Sequence, residues 1–430
     1  MSAAQWRKAM NSGAGRQAWT RAASRVGSTA GSTDAGSTAG ATGPGPTAES
    51  TAANRAAASQ HAGLEALPRG LRPFWARWSA RHLLVLIGLL VYPAVASSFF
   101  TYQIGAQSLA LGLVALSLTF LGGSGGMVSL SQGTVAGLAG YLVAIFGTSA
   151  VSQISLNWPW WLAILVALSV SVAFAAFIGW LSVRTEGIYT IMITLAIGVA
   201  FFYLAQQNYT VFNGFQGLSQ VHPPTLFGVD WQRPIPFYYL TLFWALAGYG
   251  FVKSLLRAPF GIALQGIRDN PRRMNALGFS VNAHRIAAHA VAGLVAGVGG
   301  ILLTWYSTLI SPGSVGTGAL INVLIVAVLG GMRHPIGAFI GAVVFVLLQN
   351  FAVDIVDRER FNLLIGGVFL AIVLFSPDGL LGLWERARQR FLRSGAAAAT
   401  SSPARDPRGN TGASRGLQPG QNQGPLRQPH

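Results

Sequence analysis

The chain of 430 residues has no cysteine, and it carries only 12 acidic residues against 29 lysines and arginines. The first absence excludes disulfides, thiol catalysis and cysteine-ligated metal sites. Charge of either sign is scarce: 10% of the residues are Asp, Glu, Lys or Arg, where a soluble domain carries about a quarter. Lysine is almost missing. Lys8 and Lys253 are not preceded by glycine, so the chain has no G-x-x-x-x-G-K-[ST] cradle for nucleotide phosphates. No apolar run carries an acid or a base in its interior, whereas ion-driven carriers and pumps usually keep ionisable groups in the membrane. His284 and His289 lie near one end of a run without an evident third ligand, so no metal site is expected. No Ser/His/Asp arrangement marks a catalytic residue.

What is abundant is apolar. Hydrophobic residues make up 52% of the chain, and several runs approach or exceed the ~20 residues that cross a bilayer. The sequence predicts an all-α polytopic membrane protein with about ten transmembrane helices. They fall near residues 83–100, 104–121, 127–149, 159–183, 188–206, 237–256, 284–306, 317–332, 336–352 and 362–376. The eighth and tenth are short. Placing the N-terminus inside puts 26 of the 29 basic residues on the cytoplasmic side, leaving Arg233, Arg358 and Arg360 outside. The short loops alone give eight inside against three outside. Both counts follow the positive-inside rule with both termini cytoplasmic. The net charge of +17 therefore reports topology, and no nucleic acid partner is expected.

The flanks differ from the 83–384 membrane domain. Residues 1–67 are a basic, low-complexity tail of Ala, Gly, Ser and Thr with too little apolar surface to order, and without the h-region of a signal peptide. Residues 68–82 interleave Phe74, Trp75 and Trp78 with four arginines, the pattern of an amphipathic segment at the bilayer surface. Residues 385–430 form a basic and mostly disordered tail.

The most charged segment between the first and last apolar runs is 257–285. Ile262, Leu264 and Ile267 have helical spacing, and Pro271 stops that helix near Asp269. A second short helix is expected from Pro271 to Leu277, capped by Gly278. Such a polar elbow is either an ordinary cytoplasmic loop or a docking surface for a soluble partner.

Within the apolar runs, Gly133/Gly137, Gly293/Gly297 and Gly337/Gly341 are small-xxx-small pairs that let helices approach closely. Ser129, Ser131, Gln132 and Thr134 add polar groups to one run, and Tyr189, Thr190 and Thr194 to another. Of these, Ser129, Gln132, Tyr189, Thr190 and Thr194 are expected to line a path for a polar solute or to hydrogen-bond neighbouring helices.

Seven stretches occur in a telling order: SLSQGTVAGLAGY (129–141), RTEGIYTIMITLA (184–196), NGFQGL (213–218), RAPFGIALQGIRDNP (257–271) with ALG (276–278), LISPGS (309–314), VLGGMRHPIGAFIGA (328–342) and FSPDGLLG (375–382). Together they resemble the permeases of branched-chain amino acid ABC transporters, in particular the LivM-like branch. The resemblance spans about residues 83 to 392 and departs at Pro271, Arg272, Met274 and Asn275. It implies a type II ABC importer architecture in a bacterial plasma (inner) membrane. It also implies two cytoplasmic ATPase subunits, a second homologous permease chain and an extracytoplasmic solute-binding protein. ATP is then used by the partner ATPases, with no cofactor in this chain. The same resemblance makes Gly266, Ile267, Arg268, Asp269, Asn270, Ala276, Leu277 and Gly278 the coupling contacts. Alternatives are a urea or short-chain amide permease of the same superfamily, a passive facilitator, or an ion-coupled secondary carrier.

Overall fold

In the computed structural model several helices begin at or just after a proline or a glycine. It describes residues 80–355 apart from 152, 186, 226, 227 and 229, and also 366, 367, 370, 374 and 379–382. In chain order the main elements are α1 (Ala80–Val95), α2 (Phe100–Ser124), α3 (Gln132–Phe146), α4 (Trp160–Ser182), α5 (Ile188–Gln207), β1 (Leu218–Ser219) and α6 (Pro234–Arg257). There follow α7 (Pro259–Asp269), α8 (Pro271–Ala276), α9 (Val281–Ser307), β2 (Leu309–Ile310), α10 (Thr317–Gly330) and α11 (Pro335–Ile355). Four of these helices start at proline, whose missing N–H costs nothing in the first turn.

Among the described residues, α2, α4, α5, α6 and α9 are each long and apolar enough to cross a membrane. α10 and α11 satisfy the same test jointly but bend by 116° at the 331–334 turn, giving up to six spans. The runs expected at 83–100 and 127–149 appear as shorter apolar helices. The second of them is shortened for a local reason. Gly126 takes φ +67, and residues 126–131 run without helix until Gln132. Such a break at membrane depth is tolerated only inside protein, and residues 127 and 129–141 are buried or nearly so. The run near 362–376, the 1–67 tail, most of the 68–82 segment and the 385–430 tail lie outside the described residues.

The core forms around α2 and α9. α9 packs against α2, α3 and α4, and α11 covers another side of α2. Close approach relies on small residues. A Cβ at Gly293 would strike Ala175 of α4, and one at Gly300 would strike the backbone of Ala136 in α3. Gly330 and Gly341 meet backbone to backbone across the α10–α11 bend. At the end of the bundle away from the elbow, β1 and β2 pair antiparallel, Leu218 opposite Ile310, which ties the end of α5 to the end of α9. There Tyr102 stacks on Tyr306 at 4.9 Å and donates to its carbonyl at 2.8 Å.

Candidate translocation site

The elbow is built as its sequence predicts, by α7 and α8. The inner face of α7 lays Gly261, Ala263, Leu264 and Ile267 on the bundle. Asn270 caps α8 by accepting from the Arg273 N–H at 3.0 Å, and Gly278 leaves the helix at φ +88. Of the eight expected coupling residues, Arg268, Asp269, Asn270, Ala276, Leu277 and Gly278 are exposed. Ile267 is fully buried, and Gly266 faces the Met274 sulfur, 2.8 Å from where a Cβ would stand.

Arg268 does more than face outward. Its Nη1 donates to the Gly123 carbonyl at 2.6 Å, and its Nε donates to Asp269 at 3.0 Å. Its Cγ lies 2.6 Å from the position of a Cβ on Gly126, where any side chain would collide. The elbow is therefore tied to the glycine bend between α2 and α3. The sequence did not announce this tie, because the two ends are 145 residues apart.

Beyond the bend lies a buried polar cluster. The Ser129 and Ser131 hydroxyls are 2.8 Å apart. The Leu130 N–H donates to Thr194 Oγ1 at 3.2 Å, and Thr194 in turn donates to the Thr190 carbonyl at 2.9 Å. Four of the five expected path residues are buried: Ser129 and Gln132 at the start of α3, and Thr190 and Thr194 on α5. Tyr189 does not join them: it is 66% exposed on the other side of α5. The Gln132 carboxamide and the Thr134 hydroxyl are sealed from solvent without a hydrogen-bond partner.

A second polar region opens at the far end. A cleft of about 210 Å³ is walled by α2, α3, α9, α10 and α11, with Gln107, Thr304, Ser307, Ser314, Asn322 and Gln349 as its polar residues. No charged side chain lines it. Ser307 and Thr304 spend their hydroxyls on backbone carbonyls of α9. Gln107 Oε1 accepts from Tyr306 at 3.3 Å. Asn322, Gln349 and Ser314 make no side-chain hydrogen bond among the described residues. The cleft stands roughly 35 Å along α9 from the elbow, at 1.5 Å per residue. Sequence reasoning missed Gln107, Asn322 and Gln349. They lie in three separate apolar runs, Gln349 beside Asn350, and a carboxamide inside an apolar run was the usable signal.

Leu320 of α10 packs between α3 and α5. Its Cδ2 lies 2.6 Å from the Cβ position of Gly133 in α3, and its Cδ1 2.6 Å from that of Gly198 in α5. Gly137 receives Val315 in the same manner. Gly297, Gly337 and the other paired glycines likewise sit against neighbouring helices or turns. His284 and His289 serve separate neighbours: His284 stacks on Phe260, and His289 is buried with Nδ1 2.9 Å from the Arg285 carbonyl. No group of three metal-ligating side chains occurs among the described residues.

A multi-pass helical bundle with an uncharged polar cleft at one end and a charged elbow at the other has the form of a membrane transport component. The comparisons give the family. A family described as the permease component of the branched-chain amino acid transport system matches residues 100–373, and the chain belongs to it. It is similar to the high-affinity branched-chain amino acid transport permease LivM of Escherichia coli K12, at 25% identity over 74% of this chain and 79% of that protein. It is also similar to the ribose import permease RbsC of Haemophilus influenzae, at 22% identity over 70% and 91%. A nucleoside ABC transporter permease, NupC of Lactococcus lactis, is 23% identical over 59% and 83%. No solved structure matches the chain.

Proposed function

We propose that this chain is a permease subunit of an ATP-driven importer that carries branched-chain amino acids across the bacterial inner membrane. In this reading it has about ten spans, both termini in the cytoplasm, a second homologous permease beside it, two ATPases on the elbow and a solute-binding protein over the cleft. The carrying observation is the placement of an exposed elbow and an uncharged polar cleft at opposite ends of one bundle. Four LivM or BraD permeases among its relatives support the amino acid.

The elbow supplies the mechanism. A push on α7 reaches the Gly123 carbonyl through Arg268. That bend leads directly into α3, whose Gly133, Ala136 and Gly137 floor the cleft. Motion of α3 relative to α5 and α10 withdraws Leu320 from its two glycines and joins the cleft to the elbow side. The walls offer hydroxyls and carboxamides, so a net-neutral solute crosses without pairing to a fixed charge.

A second reading keeps the machine and changes the solute. The ribose and nucleoside permeases among the relatives, together with a cleft lined by amides and hydroxyls, suit a neutral polar solute such as urea, an amide or a sugar.

The test is affinity purification of the tagged chain from native membranes in mild detergent, followed by uptake in proteoliposomes with ATP and labelled L-leucine. Recovery of ATPase chains, lost when Arg268 and Asp269 are both changed to alanine, is the expected result. A lone protein that moves solute without ATP would instead mark a passive facilitator.

A further inference from the structure

Buried polar groups in proteins nearly always have partners. Gln132 and Thr134 break that rule together. Gln132 is 1% exposed and Thr134 fully buried, and neither the Gln132 Oε1 and Nε2 nor the Thr134 Oγ1 has a hydrogen-bond partner. Both lie in the first turn of α3, a 15-residue helix. Its first backbone bond runs from the Val135 N–H to the Ser131 carbonyl. The N–H groups of Gln132, Gly133 and Thr134 precede that bond and have no acceptor within the helix. The Thr134 hydroxyl projects into the seam between α3 and α5, 2.9 Å from the Cβ position of Gly198.

We propose that this first turn of α3 is a solute-binding station for the head group of a zwitterion, shut off from the cleft by Leu320 in the present conformation. The chemistry is asymmetric in the way a zwitterion requires. Backbone N–H groups at a helix N-terminus, with the helix dipole behind them, favour a carboxylate. The Thr134 hydroxyl adds a donor at the α5 seam, beside Gly198 where Leu320 sits, and the Gln132 Nε2, two residues earlier and so on another face of the helix, adds one at its end. The Gln132 Oε1 is an acceptor for the ammonium. Gly133, in the same turn, also lines the cleft, so a solute reaches the station once Leu320 moves. This rests on the permease reading and narrows it. A sugar or a nucleoside has no carboxylate to place there.

The experiment uses the full transporter complex. Gln132→Met keeps the length and removes both polar atoms. Because those atoms are unpartnered, the variant should keep or raise the thermal unfolding midpoint. At saturating solute-loaded binding protein it should transport L-leucine about tenfold or more slowly, the effect of one lost hydrogen bond to a charged group. Thr134→Val, its isostere, should behave likewise. In the wild-type complex without binding protein, millimolar L-leucine should raise the midpoint, and 3-methylbutan-1-amine, which lacks the carboxylate, should not. The station is overturned by unchanged transport in both variants, by a lowered midpoint in both, or by equal or no protection from the two compounds. Absence of leucine transport by the wild-type complex would instead strike the permease reading itself.

Discussion

α9 and α5 have the same mean hydropathy, 2.1 over their best windows, yet 61% of that window is buried in α9 and 28% in α5. In water, equal hydropathy would imply roughly equal burial. In a bilayer it does not, because lipid tails are as apolar as leucine and small residues decide which helices approach. α9 presents Gly293, Gly297, Gly299 and Gly300 with several alanines to its neighbours. α5 buries only the seam Thr190, Thr194, Gly198, Phe201 and Ala205, spaced three or four apart, and leaves Ile188, Tyr189, Met192, Tyr203 and Leu204 exposed. The first helix is a structural axis. The second touches the bundle along one line.

The sharpest way to break this contrast is to add bulk on α9. Gly300→Val forces a branched side chain against the Ala136 backbone in α3, which cannot rotate away. The expected cost is about 3 kcal/mol or more, the upper end for overpacking. It is read as loss of monodisperse protein and of the thermal transition in detergent. A variant that melts like the wild type would show that α3 and α9 are not in contact.

The α5 seam gives a smaller effect. Thr194→Val keeps the shape but leaves the buried Leu130 N–H without its acceptor. The expected destabilisation is about 1–3 kcal/mol, measured by the shift of the unfolding midpoint. Thr194→Ser keeps the oxygen and should recover most of the loss. Failure of serine to rescue would mean that the methyl packing, not the bond, holds the seam.

These two helices also mark what could be read from the chain. Local chemistry was legible: Asn270-Pro271 ends α7, and Gly278 closes α8, because proline and glycine act within a turn or two. The apolar runs gave helices, of which five, or six with the bent pair, are long and apolar enough to span among the described residues. The runs separate at both breaks, 121/127 and 332/336, but hydropathy did not show that residues 127–131 stay out of the helix or that α10 and α11 meet at 116°. Residue type alone singled out Ser129, Gln132, Tyr189, Thr190 and Thr194, but not the bond from Leu130 to Thr194, which lie 64 residues apart. The cleft was not legible, since its carboxamides come from three distant helices and no local pattern links Gln107, Asn322 and Gln349.

Tyr189 is the gentlest probe and the one that tells lipid from protein. It lies near the elbow end of α5, 66% exposed. Substitutions at exposed sites usually change stability by no more than about 0.5 kcal/mol, so Tyr189→Ala should leave the unfolding midpoint of the isolated chain nearly unchanged. The same variant should then be compared for recovery of a second permease chain from native membranes. If this face meets only lipid, recovery stays equal, because an alanine is as acceptable to hydrocarbon as a tyrosine ring. If α5 is covered by the second permease, the lost ring leaves a void in that interface, and recovery falls while the midpoint of the isolated chain does not. That split would place α5 between two chains and put the α3–α5 seam beside the subunit interface. Equal recovery would keep the route through the bundle of this chain, past Leu320.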